Sequence, residues 1–505
     1  MTKQASIEVL ICGAGAAGLT LAIDLARRGV AIRLIDKLAA PFAGSRGKGI
    51  QPRSLEVLED LGVVDRLAAV GAPYPVQRLH KADGTHADSQ EIMVAPPTAD
   101  EPFRTPLMVP QFRTEAVLRE RLAELGGAVE YGRELTGFAQ DAEGVTATIK
   151  GPDGVETIRC RYLVGGDGGR SFVRHALDIG FPDKTLGVRA VVADLVLDGL
   201  TRDAWHRCGE GDMDRQIGFC PLPHTDLFQL QAPIPLEGDF DLSLAALQAF
   251  VDARWTAGRV TIKRVDWASA YSMNARLADR YRVGRVLLMG DAAHIHPPTG
   301  GQGLNTSLQD AYNLGWKLAA VLQGAPDALL DTYEEERRPI AAGMLGLATG
   351  LLDKAKQGEM KRGREVHQMD LGYRFSSLSP DVVRPEDALQ PGDRAPDGRL
   401  AGAAGGSKRV FDLLAGPHWT LLARGAAVLP AARPGLRAYR VGAGGALRDP
   451  DDVLGQTYGL GDGETVLIRP DGYVATFVGG ADGARLERYL ADVGLIPARS
   501  QTRAA

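Results

Sequence analysis

The run Glu8-Val-Leu-Ile-Cys-Gly-Ala-Gly-Ala-Ala-Gly-Leu-Thr20 constrains this 505-residue chain more than any other segment. An apolar strand (Ile7, Val9, Leu10, Ile11) leads straight into Gly13, Gly15 and Gly18, and a helix follows at once. That helix reads Ala16 to Arg28, with Leu19, Ala22, Ile23 and Ala26 on one face and Gly29 at its C-terminal cap. The glycines have separate tasks. Gly13 allows the tight turn, Gly15 the close approach of a phosphate to backbone, and Gly18 the packing of helix on strand. The helix start, Ala16 and Ala17 included, aims unpaired N–H groups and a positive dipole end at a pyrophosphate. A second strand, Ala31 to Ile35, ends at Asp36-Lys37, where the carboxylate can accept from ribose hydroxyls. The segment is predicted to open a Rossmann-like unit that binds an adenine dinucleotide.

A chain of this length predicts two or three domains at roughly 100–200 residues each. The net charge of −5 gives no support for nucleic-acid or anionic-membrane binding. No apolar run approaches the roughly 18 residues that span a bilayer. Met1 to Ser6 is polar, which predicts no secretory segment and a cytoplasmic protein. Cys12, Cys160, Cys208 and Cys220 have neither C-x-x-C nor metal spacing, and read as inert thiols in a reducing compartment.

Along the chain the pattern predicts an α/β fold. Pro52 to Leu67 reads as a helix, residues from about 73 to 110 as loop or short strands, and Gln111 to Leu125 as a second amphipathic helix. Strands are expected near Val129 to Tyr131, Thr136 to Asp141, Val145 to Lys150 and Tyr162 to Val164, with a hairpin turn at Pro152-Asp-Gly154. From about 185 to 280 short alternating strands suggest a mainly antiparallel sheet inserted into the nucleotide domain. Nucleotide-type sequence resumes at Val286-Leu-Leu-Met-Gly290, a helical region runs from Ala311 to about Glu359, and Pro391 opens a compact α/β segment. The expected domains are 1–182, with an excursion into the inserted sheet at about 73–104, then 183–281, 282–385 and 386–505.

Two further turns carry chemistry. In Leu163-Val-Gly-Gly-Asp-Gly-Gly-Arg-Ser171 a strand delivers Asp167-Gly168, and Ser171 is set to cap the next helix. Asp167 and Arg174 fit either a cofactor contact or a local salt bridge. In Gly290-Asp-Ala-Ala-His-Ile-His-Pro-Pro-Thr-Gly-Gly-Gln-Gly-Leu-Asn305, Asp291 can hold sugar-alcohol hydroxyls, and Pro297-Pro298 stiffens the turn. Gly300, Gly301 and Gly303 admit something flat, and a helix starting near Leu304 can stabilise negative charge on it. His294 and His296 lack a third ligand, so no metal is expected.

These three motifs, in this order, resemble the single-component FAD-dependent aromatic hydroxylases of p-hydroxybenzoate-hydroxylase type. The similarity covers essentially the whole chain. Arg282 to Lys317 is most similar to the branch of polyketide hydroxylases, phenol hydroxylases and rifampicin monooxygenase. The resemblance implies a Rossmann-like FAD domain of glutathione-reductase type, an inserted antiparallel substrate sheet and a C-terminal thioredoxin-like domain, here without C-x-x-C. It implies that Gly13, Gly15, Ala16, Ala17 and Gly18 cradle the FAD pyrophosphate, with Asp36 and Lys37 at the adenosine ribose. Arg46 and Gln111 would contact FAD, Leu135 the adenine, and Asp291 the ribityl and phosphate region. Pro298, Gly301, Gly303, Leu304 and Asn305 would border the flavin, and Asp167 would stand near both FAD and the nicotinamide path.

The implied reaction is monooxygenation of an aromatic or polyketide-type substrate with O2, through a flavin C4a-hydroperoxide, by a monomer or homodimer. FAD would stay bound, while NADPH or NADH docks transiently, since no complete second G-x-G-x-x-G is present and the closest, Gly442-Ala-Gly444, lacks the third glycine. Phe219, Pro221, His224, Phe228, Gln229 and Pro297 are the candidate substrate contacts. No catalytic side chain is assigned, the chemistry being the flavin's. A flavin oxidase without oxygen insertion, or a silent flavoprotein that sequesters an aromatic ligand, fits the same motifs. A halogenase would need a W-x-W-x-I-P motif, absent here.

Overall fold

A computed structural model describes residues 7–81, 83–90, 92–209, 211–356, 361–442, 445–480 and 482–497. Met1–Ser6, two residues of the Gly442–Gly444 motif and the end of the helical region near Glu359 lie outside them. The predicted first strand, Val9–Cys12, is central in a six-stranded sheet. It pairs in parallel with Ile32–Asp36 on one side and Tyr162–Gly165 on the other. Val129–Tyr131 and Val286–Leu288 extend the sheet in parallel, and Arg282–Val283 closes it antiparallel. Helices Ala16–Arg27 and Gln302–Leu322 pack on each other beside it. A three-stranded antiparallel sheet, Glu134–Gln140, Val145–Gly151 and Gly154–Cys160, forms the crossover between Val129–Tyr131 and Tyr162–Gly165.

The second large sheet has eight strands. In spatial order they are His294–Ile295, Thr261–Leu277, Asp183–Asp198, Phe228–Ile234, Ile217–Pro221, Ala204–Cys208, Val76–His80 and His86–Ser89. Ala204–Cys208 and Val76–His80 run parallel; the other pairs are antiparallel. One face buries Val191, Ala193, Leu195, Phe219, Phe228 and Leu230 against helix Leu244–Arg254. Alternation along each strand turns the other face toward the nucleotide-type sheet.

One predicted helix is divided, and the predicted helical region resolves into two. Pro52 to Leu67 breaks into Pro52–Asp60 and Val64–Val70 because Gly62 takes a left-handed conformation (φ 76°) and the Val63 amide returns to Leu58 O. The long helical region is two helices, Gln302–Leu322 and Asp331–Lys356, separated at Gly324 (φ 109°).

The C-terminal part is a seven-stranded sheet in which Trp419–Arg424 pairs in parallel with the central strand Leu436–Val441 and antiparallel with Thr465–Ile468. Its Leu422, Val466, Ile468 and Val474 make a separate core, while Trp419, Leu421, Leu467 and Ala475 join the main one. That junction holds a charge-balanced buried cluster. Glu336 accepts from Lys317 Nζ at 2.7 Å and from both Arg469 Nη atoms at 2.6 and 2.8 Å, and Arg469 also reaches Asp471. Burial opposes the Glu336 charge, yet Arg469 and Lys317 hold its carboxyl far below the usual range. Burial pulls Lys317 down to about 8 against the attraction of Glu336.

Glu336→Gln strands the buried Lys317 ammonium and leaves Arg469 to Asp471 alone, and is expected to lower unfolding free energy by about 3–5 kcal/mol, measured by denaturant melts. The Lys317 amine binds fewer protons folded than unfolded between pH 8 and its unfolded value near 10.4. Wild-type stability relative to Lys317→Met should therefore rise with pH across that window, in melts repeated at each pH.

Candidate active site

Three turns leave the carboxyl ends of three adjacent parallel strands and touch one another. The Gly166 amide bonds Cys12 O at 2.8 Å and the Met289 amide bonds Gly165 O at 3.0 Å. A β-carbon on Gly13 (φ 102°) would overlap the Gly166 carbonyl, and one on Gly18 would overlap the Gly13 carbonyl. Gly15 is different: its nearest neighbour would be Glu115 Oε1 at 3.9 Å. The protein itself thus requires Gly13 and Gly18, but leaves vacant the space over Gly15. Gly15 also starts helix Ala16–Arg27 with no side-chain cap. Ala16 is buried, and the Ala17 methyl lies beside Gly290, tying the first turn to the third.

The predicted residues around this point are placed as follows. Asp36 accepts from the Ala14 and Leu38 amides, both at 2.8 Å, one on each carboxylate oxygen, and Lys37 beside it is exposed. Gln111 opens helix Gln111–Glu124; it accepts from the Gly47 amide and donates to buried Glu115 at 2.8 Å. Burial pushes the Glu115 carboxyl up. Arg46 is exposed, its guanidinium 4.8 Å from the Phe42 ring and 5.9 Å from that of Trp267. Leu135 is buried in the main core, opposite Ile149.

Asp167 Oδ2 accepts from the Val173 amide at 3.1 Å, while Oδ1 is buried with no partner. Arg174 does not pair with it; its Nη atoms go to the carbonyls of Ala292 and Gly169, and its plane stacks on Phe181 at 3.8 Å. Asp291 lies deep in the molecule yet its side chain is solvent-open, so it lines a cleft. Burial pushes its carboxyl up, with His294 and Arg46 opposing.

Pro297 is buried and Pro298 exposed in the following turn. Left-handed Gly300 and Gly301 (φ 84° and 65°) then start helix Gln302–Leu322, again with no side-chain cap. Gly303 has no atom closer than 3.9 Å to the place of a β-carbon, and Leu304 is half-buried. The Asn305 side chain is fully engaged: it accepts from the Gln51 amide and donates to Gly49 O and Gly301 O. Only its backbone is free to meet a ligand.

On the eight-stranded sheet, Gln229 faces these turns, whereas Phe219 and Phe228 face the opposite core, edge-on to Trp255 and beneath Arg202. Pro221 is buried opposite Phe228 in the ladder. His224 occupies a tight turn (φ 54°) and reaches Gly71 O at 3.2 Å. The register aligns Trp267, Asp194, Gln229, Cys220 and Trp205 in one row across five strands. The 44–48 loop rests on that row: Gly44 against Trp267, Ser45 on Asp194 and Gln229, Lys48 on Gln229 and Trp205. The next rows are small or polar, with Ser269, Val192, Gln231 and Gly218, then Tyr271 and Ala190. Burial pushes the Tyr271 hydroxyl up to about 12.

Sequence reasoning did not single out Ser45, Lys48, Asp194 or Tyr271. A lone aspartate in the apolar run Val188 to Leu197 was the available signal for Asp194; the others had none. The histidines also have protein partners: His294 Nε2 meets Asp310 at 2.6 Å, and His296 Nε2 meets His294 Nδ1 at 3.0 Å. Arg337 holds the second Asp310 oxygen. Among the described residues no group of three or more potential ligands is placed to hold a metal.

The vacant space over Gly15 and Gly303, the orphaned Asp167 oxygen and two uncapped helix starts fit an anionic, flat dinucleotide such as FAD. Residues 6–348 match the FAD binding domain family and residues 389–493 the C-terminal domain of aromatic-ring hydroxylases. The chain belongs to the FAD-dependent aromatic hydroxylases. This hydroxylase is 40% identical to a flavin-dependent monooxygenase of Mycobacteroides abscessus, over 96% of its own length and 100% of the relative's. It is 34% identical to aklavinone 12-hydroxylase of Streptomyces purpurascens, covering 93% and 95%. Its fold matches aklavinone-11 hydroxylase, solved as a ternary complex with FAD and aklavinone, with TM-score 0.79, 30% identity and 98% and 99% coverage. It is an FAD-dependent monooxygenase, and no helix among the described residues is long and apolar enough to cross a membrane.

Gly15→Ala is expected to leave apoprotein stability within about 0.5 kcal/mol while weakening FAD binding at least about tenfold, by flavin fluorescence titration. Gly18→Ala should instead cost about 1–3 kcal/mol in a melt, because its methyl meets backbone.

Proposed function

We propose that this hydroxylase inserts one oxygen atom from O2 into a polycyclic phenolic substrate, with NADPH or NADH as transient reductant in a reducing cytoplasm. The observation that carries the reading is the sheet face of Ser269, Val192, Gln231, Gly218, Tyr271 and Ala190, which turns small and polar side chains toward the three glycine–aspartate turns. A flat multi-ring molecule has room against such a face, and relatives include enzymes named for aklavinone, 6-methylpretetramide and rifampicin.

In this reading the amides of Ala16, Ala17 and Gly18 hold the FAD pyrophosphate, and Asp36 and Lys37 border the adenosine. Arg46, Gln111, Asp167 and Asp291 line the ribityl and flavin path, and the backbone of Gly303, Leu304 and Asn305 meets the flavin edge. FAD, once reduced, supplies the activated oxygen. The chain's own work is positional and electrostatic. The start of helix Gln302–Leu322 favours negative charge on the flavin. Pro298 and Gly301 shape the turn around it. Gln229 and Pro297 are the substrate-side contacts retained; Phe219, Phe228 and Pro221 shape the sheet from behind, and His224 anchors its edge. The reading divides the chain into 1–182, with the 73–104 excursion, 183–281, 282–385 and 386–505. The C-terminal unit serves as a brace, in a monomer or homodimer.

Incubation with a panel of hydroxylated polyketides, NAD(P)H and 18O2 is expected to give a product heavier by one 18O atom, with substrate-stimulated NAD(P)H consumption. Stimulated consumption that yields only hydrogen peroxide and unchanged substrate across the panel would identify an oxidase instead.

A further inference from the structure

A buried ammonium without a carboxylate beside it is costly, and such groups persist where a ligand completes them. Lys48 is one. It is 7% exposed, its Nζ donates to Gln229 Oε1, and it stands 4.4 Å over the Trp205 ring. Among the described residues it has no ion pair. Asp194 is held off by Ser45, which gives that carboxylate both its amide and its hydroxyl, and by the Gln229 amide between. Burial lowers the Lys48 amine below its ordinary range; Arg362 adds to this, and Cys220 and Asp194 oppose it.

Tyr74 supplies a second polar group at the same place. Its ring is stacked on Trp205 at 6.3 Å, and its hydroxyl packs over Gly49. That hydroxyl has no hydrogen-bond partner among the described residues, and burial pushes it well up although the side chain is only half-buried. Met108, Ile92 and Cys220 complete an apolar wall. Lys48 directly follows Gly47, which faces Leu304 at the start of helix Gln302–Leu322.

We propose that Lys48, with Tyr74 as second donor, receives an ionisable oxygen of the substrate, so that the preferred class is a polycyclic phenol or enolised 1,3-diketone. This rests on the hydroxylase reading above. The phenolic O–H bond breaks as the substrate enters: its electron pair stays on oxygen, its proton passes to bulk water, and the Lys48 ammonium donates to the anion. The product of that step is a phenolate against an ammonium ion, a charge-assisted pair in a desolvated site. Phenolate formation makes the ring richer in electrons, which oxygen transfer to it requires. Trp205 and Tyr74 keep water from the pair.

The test uses FAD-loaded protein and hydroxylated anthraquinones, beginning with 1,8-dihydroxyanthraquinone, beside their O-methyl ethers. The anthraquinone anion absorbs to the red of flavin, so binding and ionisation are read without NAD(P)H turnover. Wild type is expected to ionise the bound probe at lower pH than free probe, and to prefer it over the ether by about tenfold to a hundredfold. Lys48→Met should abolish both effects, and Lys48→Arg should retain the preference. If no hydroxylated member of the series binds or ionises, or if Lys48→Met keeps both effects, the proposal is overturned. Where Lys48→Met fails to take up FAD, Tyr74→Phe decides: an ionisation shift that it leaves unchanged also overturns the proposal. A protein that ionises the probe through Lys48 yet incorporates no 18O fails as a hydroxylase while keeping this site; the reverse pattern removes this site alone.

Discussion

Parallel pairing of three strands at the centre of one sheet is the constraint on which the site depends. Val9–Cys12, Tyr162–Gly165 and Val286–Leu288 lie close together, although more than 100 residues separate each from the next in sequence. Because they run in the same direction, the turn after each emerges at the same edge. Backbone contacts between those turns then fix their spacing, and glycine is required where a side chain would force them apart. Gly13 and Gly18 belong to that contact; Gly15 and Gly303 belong to the room left beside it.

A second constraint joins this edge to the eight-stranded sheet. The 44–48 loop carries Arg46 and Gly47 on the nucleotide side, while Ser45 and Lys48 grip a single cross-strand row. A loop held this way cannot shift without disturbing Asp194 and Gln229. Burial raises the Asp194 carboxyl, with the two Ser45 hydrogen bonds opposing, so its charge depends on the loop staying in place. The glycine–aspartate turns and the eight-stranded sheet are therefore coupled through buried hydrogen bonds of this loop.

The C-terminal sheet is attached by different means. Its outer core is its own, but its inner face shares the main core, and four fully buried charges sit at the junction. Such a cluster gains its worth from mutual satisfaction, since each member would be costly alone. Trp316 and Trp419, edge to face at 5.3 Å, make the apolar part of the same contact.

The sequence alone determined the nucleotide-binding unit, the presence of an inserted sheet and the three turns, because each is written in contiguous residues: glycine spacing, strand-then-helix periodicity and an aspartate closing a strand. It also determined the chemical class, through the order of those turns. It misjudged helix continuity at Gly62, where one left-handed residue outweighs apolar periodicity. Tertiary structure alone decided which side of the inserted sheet meets the turns. Phe228 and Gln229 are neighbours in the chain yet point to opposite faces, and nothing local says which face is covered by helix Leu244–Arg254. It alone brought Lys48 and Tyr74 to Trp205, and freed Asp167 from Arg174. These are relations between strands of different registers, fixed by the pairing of whole sheets and not by any run of adjacent residues.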